Sequence, residues 1–180
     1  MKASHGFSLV EVLTVSALMT MLLGALYPLL SQGMRDWYNI TEQTELRNGA
    51  NLVIDAIQRD LLKAVTSADG QDAIYVSNDH KELKIVTEWE SGQSNQPATP
   101  KNVIIYTFHD DPQGQLTKVY RYVGSPSQAS DPGMQLVVGE VDFTGSSFER
   151  QSNGRILVEL LLKGPRKNEF KSATSLKYIY

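Results

Sequence analysis

The chain begins with a long apolar run. Between Phe7 and Leu30 the only charged side chain is Glu11. At about 1.5 Å per residue, this run forms a helix of about 36 Å, long enough for a hydrocarbon core of about 30 Å. The short flank before it, "MKASHG", carries one lysine. A short basic flank stays cytoplasmic, so we expect the bulk of the chain that follows the apolar run to lie on the opposite side of the membrane.

Beyond this run the apolar positions acquire a helical period. Pro28 predicts a helix kink, with a simple helix boundary at the membrane surface as the alternative. In "NGANLVIDAIQRDLLKAV", apolar residues between Ala50 and Val65 follow the spacing i, i+3, i+4, i+7, i+11, i+15. Charged residues such as Asp60 fill the polar positions. The pattern predicts an amphipathic helix over 31–68 that ends near Ser67 and packs on a sheet.

From residue 69 onward the pattern alternates with period two, which is typical of strands. The predicted strands are 73–77, 82–89, 102–108, 117–124, 135–145, 155–164 and 175–180. Turn residues at 109–115 and 150–154 predict hairpins, and polar stretches at 90–102 and 124–133 predict surface loops. The fold class is therefore α+β: a long N-terminal helix, transmembrane in its first half, packed on an antiparallel β-rich head over 69–180.

Composition and motifs exclude several kinds of chemistry. The 180 residues contain no cysteine, which excludes disulfides and thiolate sites. A net charge of -3 argues against broad, nonspecific nucleic-acid binding. No H-E-x-x-H, G-x-S-x-G or phosphate-binding glycine loop occurs, and the acidic turns lack the alternating carboxylates of an EF-hand. We therefore expect no enzymatic activity, no metal site and no cofactor.

Glu11 separates three interpretations of the apolar run. A secretory signal peptide needs a shorter apolar core and an A-x-A cleavage pattern, which is absent. A plain signal anchor fits the length, but a glutamate at mid-membrane costs about 2.5–3.5 kcal/mol. The third interpretation makes the glutamate functional, with a cationic partner outside its own helix. A glutamate that snorkels to the interface is the structural alternative.

The stretch "GFSLVEVL" resembles the processing motif of type IV prepilins and pseudopilins. The resemblance implies a leader peptide over 1–6, which prepilin peptidase removes between Gly6 and Phe7. It also implies N-methylation of Phe7, the new terminus. Residues 7–30 then form the helix that crosses the membrane and later packs in the filament core.

The resemblance also implies roles for two residues inside the helix. Glu11 becomes the fifth mature residue, whose carboxylate in the family pairs with the N-terminus of a neighbouring subunit during filament assembly. Such a pair offsets the cost of burying each charge. Pro28 becomes the twenty-second mature residue, where the family often has a helix-bending proline.

Segments after the apolar run resemble particular members of this family. The order "IQRDLLKA", "VIIYTF", "VYRYVG", "LVVGEVDF" and "ILVELLLKG" is similar to that of the J-type pseudopilin of type II secretion and the W-type minor pilin. The resemblance implies a minor subunit in the tip or priming complex of a pilus or pseudopilus. The implied partners are other pilin subunits, prepilin peptidase, the inner-membrane assembly platform and membrane lipid. The protein would be a single-pass inner-membrane protein with its head outside the cytoplasm.

A late basic cluster offers a second function. Lys163, Arg166, Lys167 and Lys171 could contact DNA, which would make the chain a DNA-binding minor pilin of a competence or uptake pilus. The competing interpretation is an ordinary charged hairpin loop, and it is the one we favour. A third hypothesis is an anchored exodomain that does not assemble and whose motif is incidental.

Overall fold

One long helix opens the fold. The computed structural model describes residues 8–91, 97–110, 117–128, 134–135, 140–142, 144–164 and 169–177. Helix α1 runs over Leu9–Leu61, and Pro28 lies inside it. The helix therefore continues through the proline and ends earlier than the predicted end near Ser67. The chain divides into two compact units, with the boundary between Thr41 and Glu42.

The first unit contains the apolar part of α1. Its side chains from Ser8 to Thr41 are exposed, apart from the half-buried Ser31. Within the described residues, α1 is the one helix that is long and apolar enough to cross a membrane, judged by length and composition. An apolar helix with no buried face in its own chain must find lipid or another protein to cover it.

The second unit contains the end of α1 and an antiparallel sheet. Among the described residues the strands are β1 (Ile74–Val76), β2 (Glu82–Glu90), β3 (Thr99–Asp110), β4 (Thr117–Gly124), β5 (Met134–Gln135), β6 (Glu140–Val141), β7 (Ser147–Arg150), β8 (Arg155–Lys163) and β9 (Glu169–Lys177). Their order is β1-β2-β3-β4-β6-β8-β7, while β5 pairs with β4 and β9 pairs with β8. A single 3₁₀ turn over Pro126–Gln128 follows β4.

The core of the second unit lies between α1 and the sheet. The helix contributes the buried residues Leu46, Ala50, Val53, Ile54, Ala56, Ile57 and Leu61. The sheet contributes alternate residues of β2, β3 and β8, including Leu83, Ile85, Ile104, Tyr106, Phe108, Ile156, Val158, Leu160 and Leu162. The rings of Phe108 and Phe148 stack with centroids 4.6 Å apart. This packing confirms the predicted apolar face of α1, except that Val65 lies beyond the helix and is exposed.

The antiparallel sheet after one long helix confirms the α+β class and fits the pilin fold. The strands predicted over 82–89, 117–124 and 155–164 match β2, β4 and β8 closely. Of the strand predicted over 135–145, the structure describes its start in β5 and residues 140–141 in β6, while 136–139 and 143 lie outside the described residues. The predicted end of this strand is wrong, because residues 144–145 form a turn. The carboxylate of Asp142 then accepts hydrogen bonds from the N–H groups of Thr144 and Gly145, which turns the chain.

Two further differences concern the last strands. Strand β7 was not predicted, and it forms through antiparallel pairing with the first half of β8. The last predicted strand, 175–180, starts too late. Strand β9 begins at Glu169 and ends at Lys177, and the final three residues lie outside the described part of the chain.

Candidate functional site

Glu11 lies in the first turn of α1. The carbonyl of Ser8 accepts hydrogen bonds from the N–H groups of Glu11 at 3.0 Å and Val12 at 3.2 Å. Ser8 therefore occupies the N-cap and Glu11 the third helical position, which is the spacing of a capping box. A carboxylate here faces the positive end of the helix dipole. Within the described residues Glu11 forms no ion pair, and its side chain is exposed.

Three hydroxyl groups of the apolar run bond to carbonyl groups of the helix itself. Thr14 Oγ1 donates to the carbonyl of Val10 at 3.0 Å, and Ser16 Oγ donates to the carbonyl of Val12 at 2.5 Å. Thr20 Oγ1 donates to the carbonyl of Ser16 at 2.8 Å. An unsatisfied hydroxyl in hydrocarbon costs several kcal/mol, roughly 4–8 on the cyclohexane scale. These three hydroxyl groups are therefore satisfied within the helix, whereas Glu11 carries the one charge of the run.

The predicted processing residues lie outside the described part of the chain. Gly6 and Phe7 immediately precede Ser8, the N-cap of α1. Cleavage and N-methylation at these residues therefore stay predictions, as does the assembly role of Glu11. The structure places Pro28 within α1, where Ser31 Oγ donates to its carbonyl at 3.0 Å.

The sequence analysis missed a buried polar cluster at the end of α1. Asp60 was assigned to the polar face, yet its side chain is 3% exposed. Its carboxylate accepts hydrogen bonds from Arg121 Nε at 2.6 Å, Tyr106 Oη at 2.5 Å and Lys63 Nζ at 2.6 Å. The charge of Asp60, next to Leu61 at the edge of the apolar face, could have indicated the cluster. Its partners Tyr106 and Arg121, however, are far away in the sequence.

The cluster changes the pKa values of its members. Burial alone would raise the pKa of Asp60, but hydrogen bonds from Arg121, Lys63 and Tyr106 outweigh burial and lower it to about 2. Burial and the neighbouring carboxylate raise the pKa of Tyr106. The cluster is thus an ionised carboxylate held by two cations and a neutral phenol, and it joins the last turn of α1 to β3 and β4.

The residues of the predicted basic cluster have different surroundings in the structure. Lys163 Nζ lies 2.5 Å from Asp142 Oδ2 and 3.8 Å from Glu169 Oε1. Two hydrogen bonds lower the pKa of Asp142 below its ordinary range; the one from Lys163 has the larger effect and the one from Thr144 the next. Lys163 is therefore engaged within the fold. Lys171 is exposed on β9, and the other two members, at 166 and 167, lie outside the described residues.

Comparison with known proteins matches the N-terminus to a known motif. Residues 1–27 match the model of the prokaryotic N-terminal methylation motif. The match supports a type IV prepilin-like protein, a class that is structural rather than enzymatic. Together with the single long apolar helix, it fits a single-pass membrane protein. No curated protein and no solved structure gives a significant match to the chain.

Proposed function

We propose that the chain is a minor pilin or pseudopilin, a structural subunit of a type IV pilus-like filament. Prepilin peptidase cuts it after Gly6, and the new terminus, Phe7, is methylated. The observation that carries the proposal is the methylation motif over residues 1–27, which runs into a helix long enough to cross a membrane. The first half of α1 anchors the subunit in the inner membrane, and the head lies outside the cytoplasm.

The local structure at the start of α1 supports a role for Glu11 in assembly. After cleavage the chain begins one residue before Ser8, the N-cap, so an ammonium stands at the end of the helix. In a neighbouring subunit, Glu11 presents a carboxylate one turn further along. An ammonium and a carboxylate that meet in a low-dielectric filament core stabilise each other, whereas either one left alone is strongly unfavourable. The pair therefore fixes the register between neighbouring helices.

The second unit supports a structural role for the head. Its buried polar groups hold α1 on the sheet, and its core is continuous from helix to strands. We propose that it makes lateral contacts with other minor subunits at the filament tip, as in the J-type and W-type subunits. Because Lys163 is engaged by Asp142 and Glu169, the described residues do not favour the alternative of DNA binding.

Substitution of Glu11 tests the assembly role. The variant Glu11→Gln keeps the shape of the side chain and removes its charge. We expect normal membrane insertion and processing, but a loss of about tenfold or more in crosslinking to neighbouring subunits, since 1.4 kcal/mol already corresponds to tenfold. Crosslinking at the wild-type level would refute the assembly role of Glu11.

The matched control is Thr14→Val in the same turn of the membrane segment. The Thr14 hydroxyl bonds to carbonyls of its own helix, so its removal leaves no charge unpaired. This variant should insert, be processed and crosslink like the wild type. A loss as large as that of Glu11→Gln would mean that removing any polar group from this segment disturbs packing, and that the charge of Glu11 has no special role.

A further inference from the structure

A stripe of exposed apolar side chains continues along α1 beyond the membrane-length run. Leu30, Met34 and Trp37 follow the spacing i, i+4, i+7, which places them on one face of the helix. We call these three residues the Trp37 stripe. Met34 is 61% and Trp37 71% exposed within the chain. The intervening residues are mainly polar, with Arg35 and Asp36 on other sides of the helix.

The length of the helix places this stripe at a defined depth. From Leu9 to Trp37 the helix rises about 42 Å, at about 1.5 Å per residue. A bilayer is about 40–45 Å thick including its headgroup layers, around a hydrocarbon core of about 30 Å. A tilt of about 20° shortens the rise by only a few Å. A helix that starts at one interface therefore brings Trp37 to the headgroup layer of the opposite leaflet.

Side-chain direction and chemistry agree with this depth. Helical side chains lean toward the N-terminus, which for Met34 and Trp37 is the direction of the hydrocarbon. A tryptophan ring is apolar except for one N–H donor, and tryptophan is enriched at membrane–water interfaces for that reason. Arg35 can extend a guanidinium to lipid phosphates. Asp36 lies 200° around the helix from Met34, on the side away from the stripe.

We propose that the Trp37 stripe docks into the boundary between the headgroups and acyl chains of the outer leaflet while the subunit is a membrane monomer. The lipid covers a surface that continues directly from the apolar run, and it sets the depth at which α1 leaves the bilayer. The inference rests on the proposed membrane insertion of the first half of α1. Extraction into a filament would strip this lipid contact from each subunit.

Tryptophan fluorescence tests the proposal, because the chain has two tryptophans and one can be removed at a time. The full-length Trp89→Phe variant, placed in phosphatidylcholine–phosphatidylglycerol vesicles, reports on Trp37 alone. We expect blue-shifted emission and stronger quenching by lipids brominated near the headgroup than by lipids brominated near the chain end. The Trp37→Phe variant, which reports on Trp89, measures the quenching that is not due to position 37.

The outcomes separate this inference from the proposed function. Flotation of the protein with the vesicles checks that α1 is inserted. If the protein floats but Trp37 emits as in water and escapes quenching, or is quenched best from the bilayer centre, the interfacial stripe is refuted and the membrane anchor stands. If the protein fails to float, the proposed membrane anchor is refuted, and the stripe with it.

Discussion

Asp60, on the last turn of α1, accepts a hydrogen bond from Arg121 on β4, with 2.6 Å between Oδ2 and Nε. The two residues are 61 positions apart in the chain. Tyr106 on β3 donates to the same oxygen. The carboxylate therefore fixes where the end of α1 sits on two neighbouring strands, and the head depends on a buried charge as well as on its apolar core.

Removal of this charge should destabilise the head. In Asp60→Asn, Arg121 loses its carboxylate, and we expect the free energy of unfolding to fall by about 2–3 kcal/mol. This lies at the low end for a broken buried pair, because the Arg121 side chain is 22% exposed. Thermal unfolding of the full-length protein in detergent measures the loss. The control is Asp55→Asn, an exposed aspartate on the same helix, and an equal loss in both variants would contradict the account.

Stability should also depend on pH through Asp60. Its pKa of about 2 lies below the ordinary value of 3.8, so the unfolded chain binds the proton more readily than the folded one. The resulting stabilisation, about 2 kcal/mol, is complete above about pH 5 and is lost as the pH falls toward 2. Unfolding measured across this window should show a steeper fall for the wild type than for Asp60→Asn. Parallel curves would show that Asp60 contributes nothing.

Gly164 follows β8 at a point where an added Cβ would meet the side chain of Glu42. A Cβ added there would lie 2.0 Å from Glu42 Oε1 and 2.7 Å from Glu42 Cδ, and Glu42 is buried. We expect Gly164→Ala to lower the free energy of unfolding by about 1–3 kcal/mol, the usual cost of overpacking. In a Glu42→Ala background the same substitution should cost much less, since the clash is gone. Additive costs in this double-mutant cycle would argue against a direct contact.

Hydrophobic periodicity predicted the elements whose side chains alternate between core and solvent. Strand β8 is the plainest case, because Ile156, Val158, Leu160 and Leu162 are all buried and the residues between them are not. The apolar face of α1 was equally visible. The same method missed β7, which is four residues long and contains one apolar side chain, Phe148. A strand of that length forms only through its pairing with β8.

The polar parts of the fold were harder to predict. The charge of Asp60 makes it look like a surface residue although its helical position is at the edge of the apolar face, and only tertiary packing brings Arg121 and Tyr106 to it. Lys163 similarly looked like a member of a free basic patch until the fold placed Asp142 beside it. Sequence pattern records which residues are apolar, whereas ion pairs depend on which distant residues the topology brings together.

The N-terminal site, unlike these ion pairs, can be found from the sequence alone, because the order of its residues forms the motif. Six residues, from Gly6 to Glu11, carry the processing hypothesis, and the methylation-motif match covers them. The structure adds that Ser8 caps α1 and that Glu11 lies in its first turn. The proposed partner of Glu11 is the N-terminus of a neighbouring subunit, so this role depends on contacts between chains rather than within one.

Mass spectrometry of the N-terminus tests the central claim most directly. The full-length chain should be produced in membranes with and without an active prepilin peptidase, together with a Gly6→Leu variant that blocks the expected cut. With the peptidase, the account predicts a chain that begins at Phe7 and carries one methyl group on its terminal amine. Without it, or in Gly6→Leu, residues 1–6 should remain. A wild-type chain left uncut by the active peptidase, or cut well beyond Leu30, would contradict the account.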